Sequence, residues 1–536
     1  MWKSSRNKLI FAAAAVWLSN VFCSTGYITP ASLTATAAVP ENSPVPTAFF
    51  VFPTETPTPP PTNTSTPDPS LATFTPENDT TPLPSPSPTV TDAPLSGDTP
   101  PLQYTAQSGD TLAGLASRFG VNTFEIVSSS DIPQEGLIDP GQFFLIPARF
   151  AETTSDNRLM PDSEVVYSPT TLDFDTVFYI NVTGGKASQY EEFINSNGKL
   201  SAAEIIQKIA IENSINPRLL VSLLEYQGNW VLGSPTTISK TDYPLGYIHT
   251  ESKGLHKQLL WAVNQLSAGY YGWRDGSLTH LTFKDGRIMR IAPTLNAGTV
   301  AVQYLFSQVY TYEAWQQVID PAAGFAALHT TLFDDPWARA AGAEPILPPT
   351  LEQPKMILPF LIGQRWAFTG GPHGAWGATG SQAAIDFAPG STISGCASSE
   401  NYVTAAAPGI VSRVGTGVVV LDLDGDGKEN TGWALVYLHL KRLDNITVGL
   451  RVEKSDLLGF PSCEGGSSTG THLHIARKYN GEWIAAGGPL PFVLGGWETV
   501  QGDGPYQGSL VRGDETIKAC TCGSFETNIY RTEEDE

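Results

Sequence analysis

Between Leu9 and Ser117 the chain carries no Lys or Arg, and from about residue 40 to 100 it is dominated by Pro, Thr and Ser, as in TPTPPPTNTSTPDPS. Such a stretch cannot bury enough apolar area to offset the entropy of ordering it, and its prolines favour an extended form. A linker over 31–102 is expected, acting as a stalk, and the folded parts must lie beyond it. With 536 residues in all, there is room for two or three compact domains, because single cores stop growing at roughly 250 to 300 residues.

Ahead of the stalk, Lys3, Arg6 and Lys8 precede a 14-residue apolar run, Leu9–Phe22, after which the chain turns polar. This is the layout of an export signal over 1–30. The run is short of the roughly 20 residues a membrane span needs, so no stable span is expected in the mature protein, which is read as secreted or cell-surface associated. Cys23 follows Asn20-Val21-Phe22, not small residues, and is read as removed or idle. Cys396, Cys463, Cys520 and Cys522 remain, an even number in an exported chain, and disulfides are the default. A net charge of −22 excludes nucleic acid and anionic membrane surfaces as partners, since both need clustered cations.

At 103 the character changes to QYTAQSGDTLAGLASRFGVNTFEIVSSSDIPQEGLIDPGQFFLIP. The pattern predicts a small α+β (βααβ) unit over 103–148: strand, a helix opening after Asp110, a second helix from Thr123, and a closing strand. From Tyr104 through Ser108-Gly109-Asp110-Thr111-Leu112 to Pro140-Gly141-Gln142 and Ile146-Pro147, it resembles a LysM module. The resemblance implies binding to N-acetylglucosamine-containing wall glycan, with the module on a flexible tether.

Residues 160–345 hold four segments with apolar residues at helical spacing, among them SAAEIIQKIAIENS and NPRLLVSLLEYQGNW, and are expected to form an α-helical domain. They resemble the lysozyme-like transglycosylase fold, which would place a general acid at Glu225 and its later motif at Asn296-Ala297-Gly298. Tyr226 stands where that family has a serine. Glu225 therefore reads first as a structural acid and second as a glycosidase acid needing a pocket to raise its pKa.

From 355 to 500 the chain is rich in Gly, aromatic and β-branched residues in short alternating runs, and a mainly antiparallel β domain is expected. Four of the eight histidines fall here, His373, His439, His472 and His474. In a strand, residues two apart share a face, so both imidazoles of His472-Leu473-His474 enter one cavity. His373, Asp386 and one more histidine would supply three N/O ligands and leave a fourth position to water, as in a catalytic zinc site. No His-Glu-x-x-His helix occurs, so proton transfer falls to histidine.

GGPHGAWG, AAIDFAPG, LVYLHL and GSSTGTHLHIARKYNGEW resemble the lysostaphin and beta-lytic zinc metallopeptidases in order and spacing. That resemblance implies zinc on His373, Asp386 and His474, catalytic roles for His439 and His472, and peptide cross-links of bacterial peptidoglycan as substrate. A wall-glycan-binding protein, a metal-free regulator on the same fold and a two-activity hydrolase are the rivals. Asp422, Asp424 and Asp426 match the first half of a calcium loop, but Trp433 holds the twelfth position, where a glutamate would belong. A shorter calcium hairpin and a solvated acidic turn stand equal. Cys396 and Cys463 flank the metal-site strands and are placed to lock that wall as a disulfide. Residues 501–536 read as a C-terminal tail.

Overall fold

The computed structural model describes residues 99–535 apart from 196, 378 and 391–394. The export signal, Cys23 and nearly all of the linker lie outside the described residues. In the first module Leu102–Thr105 pairs antiparallel with Phe143–Ile146, which also pairs with Val127–Ser128. Thr111 caps the helix Leu112–Phe119 by accepting from the Gly114 amide, and Gly120 ends it in the left-handed region. Leu112, Leu115 and Phe119 then meet Tyr104, Phe144 and Ile146 in a small core. The expected second helix is only a single 3-10 turn, Thr123–Glu125. Ladder pairing of Val127 with Leu145 draws the chain into a strand instead.

The module is docked, not tethered, to the helical domain. Ser108 Oγ accepts from Leu347 N at 2.8 Å, Gln107 Nε2 donates to Thr294 O at 3.1 Å, and Arg290 Nη2 donates to the carbonyls of Ser117 and Arg118.

The helical domain is built around Leu255–Asp275, packed on Ala297–Ser307, with Ala202–Asn213, Pro217–Gly228 and Phe325–Phe333 alongside. Local signals start these helices. A Ser201–Glu204 capping box opens one, and Asn216 with Pro217 at the first turn opens another. Asn296-Ala297-Gly298 serves as a seat for the incoming chain. Asn296 Nδ2 and Gly298 N donate to Asp162 Oδ1 at 2.6 and 2.7 Å, and a Cβ on Gly298 would meet Pro161 O at 2.6 Å.

The β domain is a long antiparallel sheet whose strands run Arg451–Val452, Gly409–Gly415, Val418–Asp422, Trp433–Leu438, Leu473–Tyr479, Ala384–Pro389, Arg365–His373 and Asn528–Tyr530. The last of these belongs to the expected tail, and so do Gly508–Arg512 and Glu515–Lys518, which extend a second sheet from Trp497–Gln501. The strands within 501–535 are thus part of the fold. Val511 and Ile517 carry β-branched side chains at strand spacing, and their partners lie next along the chain, so pairing needs only short turns.

Strand alternation divides this sheet between two cores. Ile385, Phe387, Val419, Leu435, Tyr437, Leu473 and Ile475 face a core belonging to the β domain. Ala384, Val418, Val420, Ala434, Val436 and Ala476 face the opposite way and join the core of the helical domain. Where the two domains meet, Arg274 of the long helix is largely buried and ion-paired at 3.0 Å to both Asp162 and Glu482, and Tyr270 Oη donates to Glu482 at 2.8 Å. Removing one partner from a buried charge network leaves the others desolvated and unpaired. Arg274→Met is therefore expected to lower unfolding free energy by about 3–5 kcal/mol in equilibrium denaturant titration. A loss under about 1 kcal/mol would mean that the network behaves as a solvated one.

Candidate metal centre

Register brings the histidine-bearing strands into line. Leu438 pairs with His474, His474 with Asp386, and Asp386 with Gly370, so four neighbouring strands meet at one level. His474 and Asp386 lie on the face shared with Ala476 and Ala384. Two register shifts between Phe368 and His373 bend the fourth strand and swing His373 over the same point. Gly370 makes room there, since a Cβ on it would stand 2.5 Å from Asp386 Oδ2.

The donor atoms form a tight triangle. His373 Nε2 lies 3.0 Å from His474 Nδ1, and Asp386 Oδ1 lies 3.3 Å from each. The remaining imidazole nitrogens face carbonyls, His373 Nδ1 donating to Gly371 O at 2.8 Å and His474 Nε2 to Ala375 O at 2.9 Å. A nitrogen facing a carbonyl must carry the proton, so in neutral rings the two nitrogens that face each other both present lone pairs. Asp386 Oδ1 is buried and accepts no hydrogen bond. Two lone pairs and an anionic oxygen about 3 Å apart repel unless a cation joins them. Ligands at 2.0–2.1 Å from a tetrahedral zinc stand roughly 3.3 Å from one another, which these separations match. The residues fit such an ion.

Charge follows the same geometry. Burial works to raise the Asp386 carboxyl, but the imidazoles of His373 and His474 outweigh it and hold the group well below the usual carboxylate range. Burial pushes His474 down, against the pull of Asp386.

His439 and His472 complete the site without joining the triangle. His439 has a left-handed backbone, φ 58°, at the break between Trp433–Leu438 and Leu440–Arg442, strands that enter different sheets. Non-glycine residues adopt this conformation at a cost, which is tolerated most often at functional sites. Its Nδ1 donates to Glu464 O at 2.8 Å, and Ser462 N donates to its carbonyl at 2.7 Å. The Cys396–Cys463 disulfide ties that same loop down. His472 Nδ1 donates to Gly470 O at 2.8 Å, and its Nε2 stands 3.8 Å from Asp386 Oδ1. The rings of His439 and His472 lie 4.6 Å apart. Burial, then the neighbouring His472, brings His439 down to about 4, which keeps it neutral near pH 7.

A cleft of about 480 Å³ opens on these residues, its walls made of small hydroxyl side chains such as Ser467, Thr469 and Thr369. Tyr506 closes one side, stacked on His373 with ring centroids 4.1 Å apart. Sequence patterns passed over it because it falls in the supposed tail. Its signal is the close approach of Gly371 to Gln507, where a Cβ would meet a carbonyl at 2.3 Å.

Two other expected sites behave differently. Asp422, Asp424 and Asp426 do converge, but Asp422 accepts from the amides of Asp424, Gly425 and Gly427 and so closes the turn on itself. Burial and the adjacent Asp422 push Asp424 up to about 7. Glu225 Oε2 accepts from Val231 N and Leu232 N at 2.8 and 2.9 Å, holding the loop that leaves its own helix. Cys520 and Cys522 are bridged to each other, as Cys396 and Cys463 are.

Gly370→Ala is expected to abolish metal retention and any activity that depends on it, with the fold kept, as read by elemental analysis of protein refolded with zinc. Full metal occupancy in that variant would show that the Asp386 carboxylate does not need the space.

Family models match two parts of the chain, a LysM domain over residues 104–147 and a LasA N-terminal domain over 158–347. Among curated proteins, protease LasA from two strains of Pseudomonas aeruginosa is 28% identical over 297 residues, covering 51% of this chain and 65% of the relative. The chain thus spans a little under two thirds of the length of the relatives it matches. Among solved structures, the M23 metalloprotease pseudoalterin is 24% identical, with a TM-score of 0.27, over 32% of this chain and 96% of its own. The catalytic domain of lysostaphin from Staphylococcus simulans is 22% identical, with a TM-score of 0.17, over 23% of this chain and 88% of its own. The chain is thus similar to a LysM domain over 104–147, to a LasA N-terminal domain over 158–347, and over about half of its length to protease LasA.

Proposed function

We propose that the β domain is a zinc endopeptidase that hydrolyses peptide cross-links of bacterial peptidoglycan. The observation that carries this reading is the triangle of His373, Asp386 and His474 donor atoms, 3.0 to 3.3 Å apart and free of hydrogen-bond donors between them, beside a cleft with two further histidines. His373 Nε2, Asp386 Oδ1 and His474 Nδ1 would hold zinc, which when bound lowers the pKa of a water and polarises the scissile carbonyl.

The chain's own residues supply the proton work. Because Nδ1 of His439 and of His472 is tied to a backbone carbonyl, each ring is left with Nε2 as its free acceptor. His439, held neutral, suits proton uptake from the attacking water. With rings 4.6 Å apart, protonating one imidazole opposes protonating the other, so a proton gained is readily passed on to the leaving amine. Once charged, the ring can also donate to the oxyanion.

The LysM domain would keep the enzyme on wall glycan, in a secreted or wall-associated protein. Among the described residues no helix is long and apolar enough to cross a membrane. Calcium has no part in the proposed chemistry. A second, glycosidic activity at Glu225 is not favoured, because its carboxylate oxygen is already shared by two backbone amides.

Purified protein is expected to hold about one zinc by elemental analysis, with His474→Ala and Asp386→Ala losing both metal and cleavage of purified sacculi. His439→Ala should keep the metal and slow turnover by roughly 100-fold or more. Equal metal loss in the His439 variant would reverse the roles assigned to His439 and His474. Glu225→Gln should leave the muropeptides released from sacculi unchanged in mass spectrometry, and the disappearance of any reducing-end or anhydro product in that variant would establish a second activity.

A further inference from the structure

The main chain passes from one sheet into another at His439. Leu438 pairs with Val418 and His474 in the long sheet, whereas Leu440 pairs with Pro461 in a three-stranded one. Between them His439 holds its left-handed φ of 58°, a conformation that persists in a non-glycine residue only where the surroundings impose it. Its ring must also keep Nδ1 occupied if Nε2 is to be the free acceptor. Both demands converge on one neighbouring side chain.

Ser462 follows Pro461 and lies beside His439. Its amide donates to the His439 carbonyl at 2.7 Å, and its hydroxyl donates to the same oxygen at 3.1 Å. The hydroxyl oxygen in turn accepts from the Glu464 amide at 3.1 Å, and the Glu464 carbonyl accepts from His439 Nδ1 at 2.8 Å. The circuit runs from the backbone of His439 through one hydroxyl and one residue back to its own ring. On the other side, the Ser462 carbonyl accepts from the His472 amide at 3.4 Å.

The other restraints on this turn act differently. Cys463 is bridged to Cys396, which limits how far the turn can travel but not how the Glu464 peptide is oriented. Gly465 and Gly466 follow and add little stiffness. Gly417 makes room for the close approach, since a Cβ on it would meet Glu464 O at 2.3 Å. Alanine at 462 would keep the amide bond to His439 O, but it would take from the Glu464 amide the acceptor that aims its peptide.

We propose that Ser462 is a positioning residue for His439, its hydroxyl fixing the backbone of that residue and, through the Glu464 carbonyl, the tautomer of its ring. The effect on turnover rests on the proton-transfer role proposed above for His439; the effect on the ring does not.

The test uses the full chain. With zinc bound and a soluble cross-linked muropeptide as substrate, Ser462→Ala is expected to lower kcat by about 10- to 100-fold, with KM changed by less than about twofold and zinc content kept. The same change made in His439→Ala should cost less than about twofold, because the group it positions is already gone. Ser462→Thr and Ser462→Val share one shape and differ in the hydroxyl, so the faster turnover expected of the threonine variant decides the matter if Ser462→Ala fails to fold. In zinc-free protein labelled at its histidine nitrogens, the magnetic resonance signal missing from His439→Ala should show the Nδ1–H tautomer in the parent and a mixture of tautomers in Ser462→Ala and Ser462→Val. That shift in a parent unable to cleave the muropeptide would uphold the positioning of the ring while sinking the peptidase reading. Equal turnover in the threonine and valine variants, an undiminished loss in the His439→Ala background, or an unchanged tautomer in a folded variant lacking the hydroxyl would overturn the proposal.

Discussion

Three atoms that should repel are held together at the open end of a buried sheet. His373 Nε2, His474 Nδ1 and Asp386 Oδ1 stand about 3 Å apart, and their other hydrogen bonds prevent the imidazoles from turning donors toward one another. The surrounding structure follows from sustaining this arrangement. Gly370 lacks a side chain where the carboxylate must sit, the bulged strand brings His373 across, and Ala375 and Gly371 offer the carbonyls that fix the tautomers. Low local dielectric makes such an array costly when empty and strongly attractive to a cation.

The domain boundary is equally decided by charge. Glu482 and Asp162 are buried and Arg274 is nearly so, and behind them Lys478 pairs with Glu429 at 2.8 Å within the β domain. Burial alone would raise Glu429, yet Lys478 and Arg413 bring it down to about 2. The Arg274–Glu482 pair fixes the register of one domain on the other more than it adds net stability, because each charge also loses its hydration.

Much of the site was legible because its signals are local. The spacing of His472 and His474 puts both on one strand face, and the Asp386 motif lies only 13 residues beyond His373. The β domain and the helices declared themselves through period and caps, as at Ser201–Glu204. What escaped was decided by distant pairing. Thr123–Glu125 starts as a helix would, but Val127 is claimed by a neighbouring strand. Asn528–Tyr530 looks like the end of a tail until Arg365–His373 pairs with it. Tyr506 could not be tied to His373 without knowing that the two loops meet. The docking of the LysM domain rests on single hydrogen bonds between segments nearly two hundred residues apart, for which no sequence period exists.

The sheet that carries the histidines has no face of its own to spare. Val418, Val420, Ala434, Val436 and Ala476 lie in one apolar cluster with helix residues such as Leu259, Val263 and Leu266. The two domains therefore share a single hydrophobic interior along the strands that end in the site. Neither can open without exposing part of the other, so amide exchange protection should run unbroken from the long helix into the central strands. Local breathing is left to the loops at the mouth of the cleft. The scaffold behind the candidate metal site is a single cooperative unit made from two parts of the chain, and a substitution deep in the helical domain acts on the same equilibrium as one beneath the His373, Asp386 and His474 triangle.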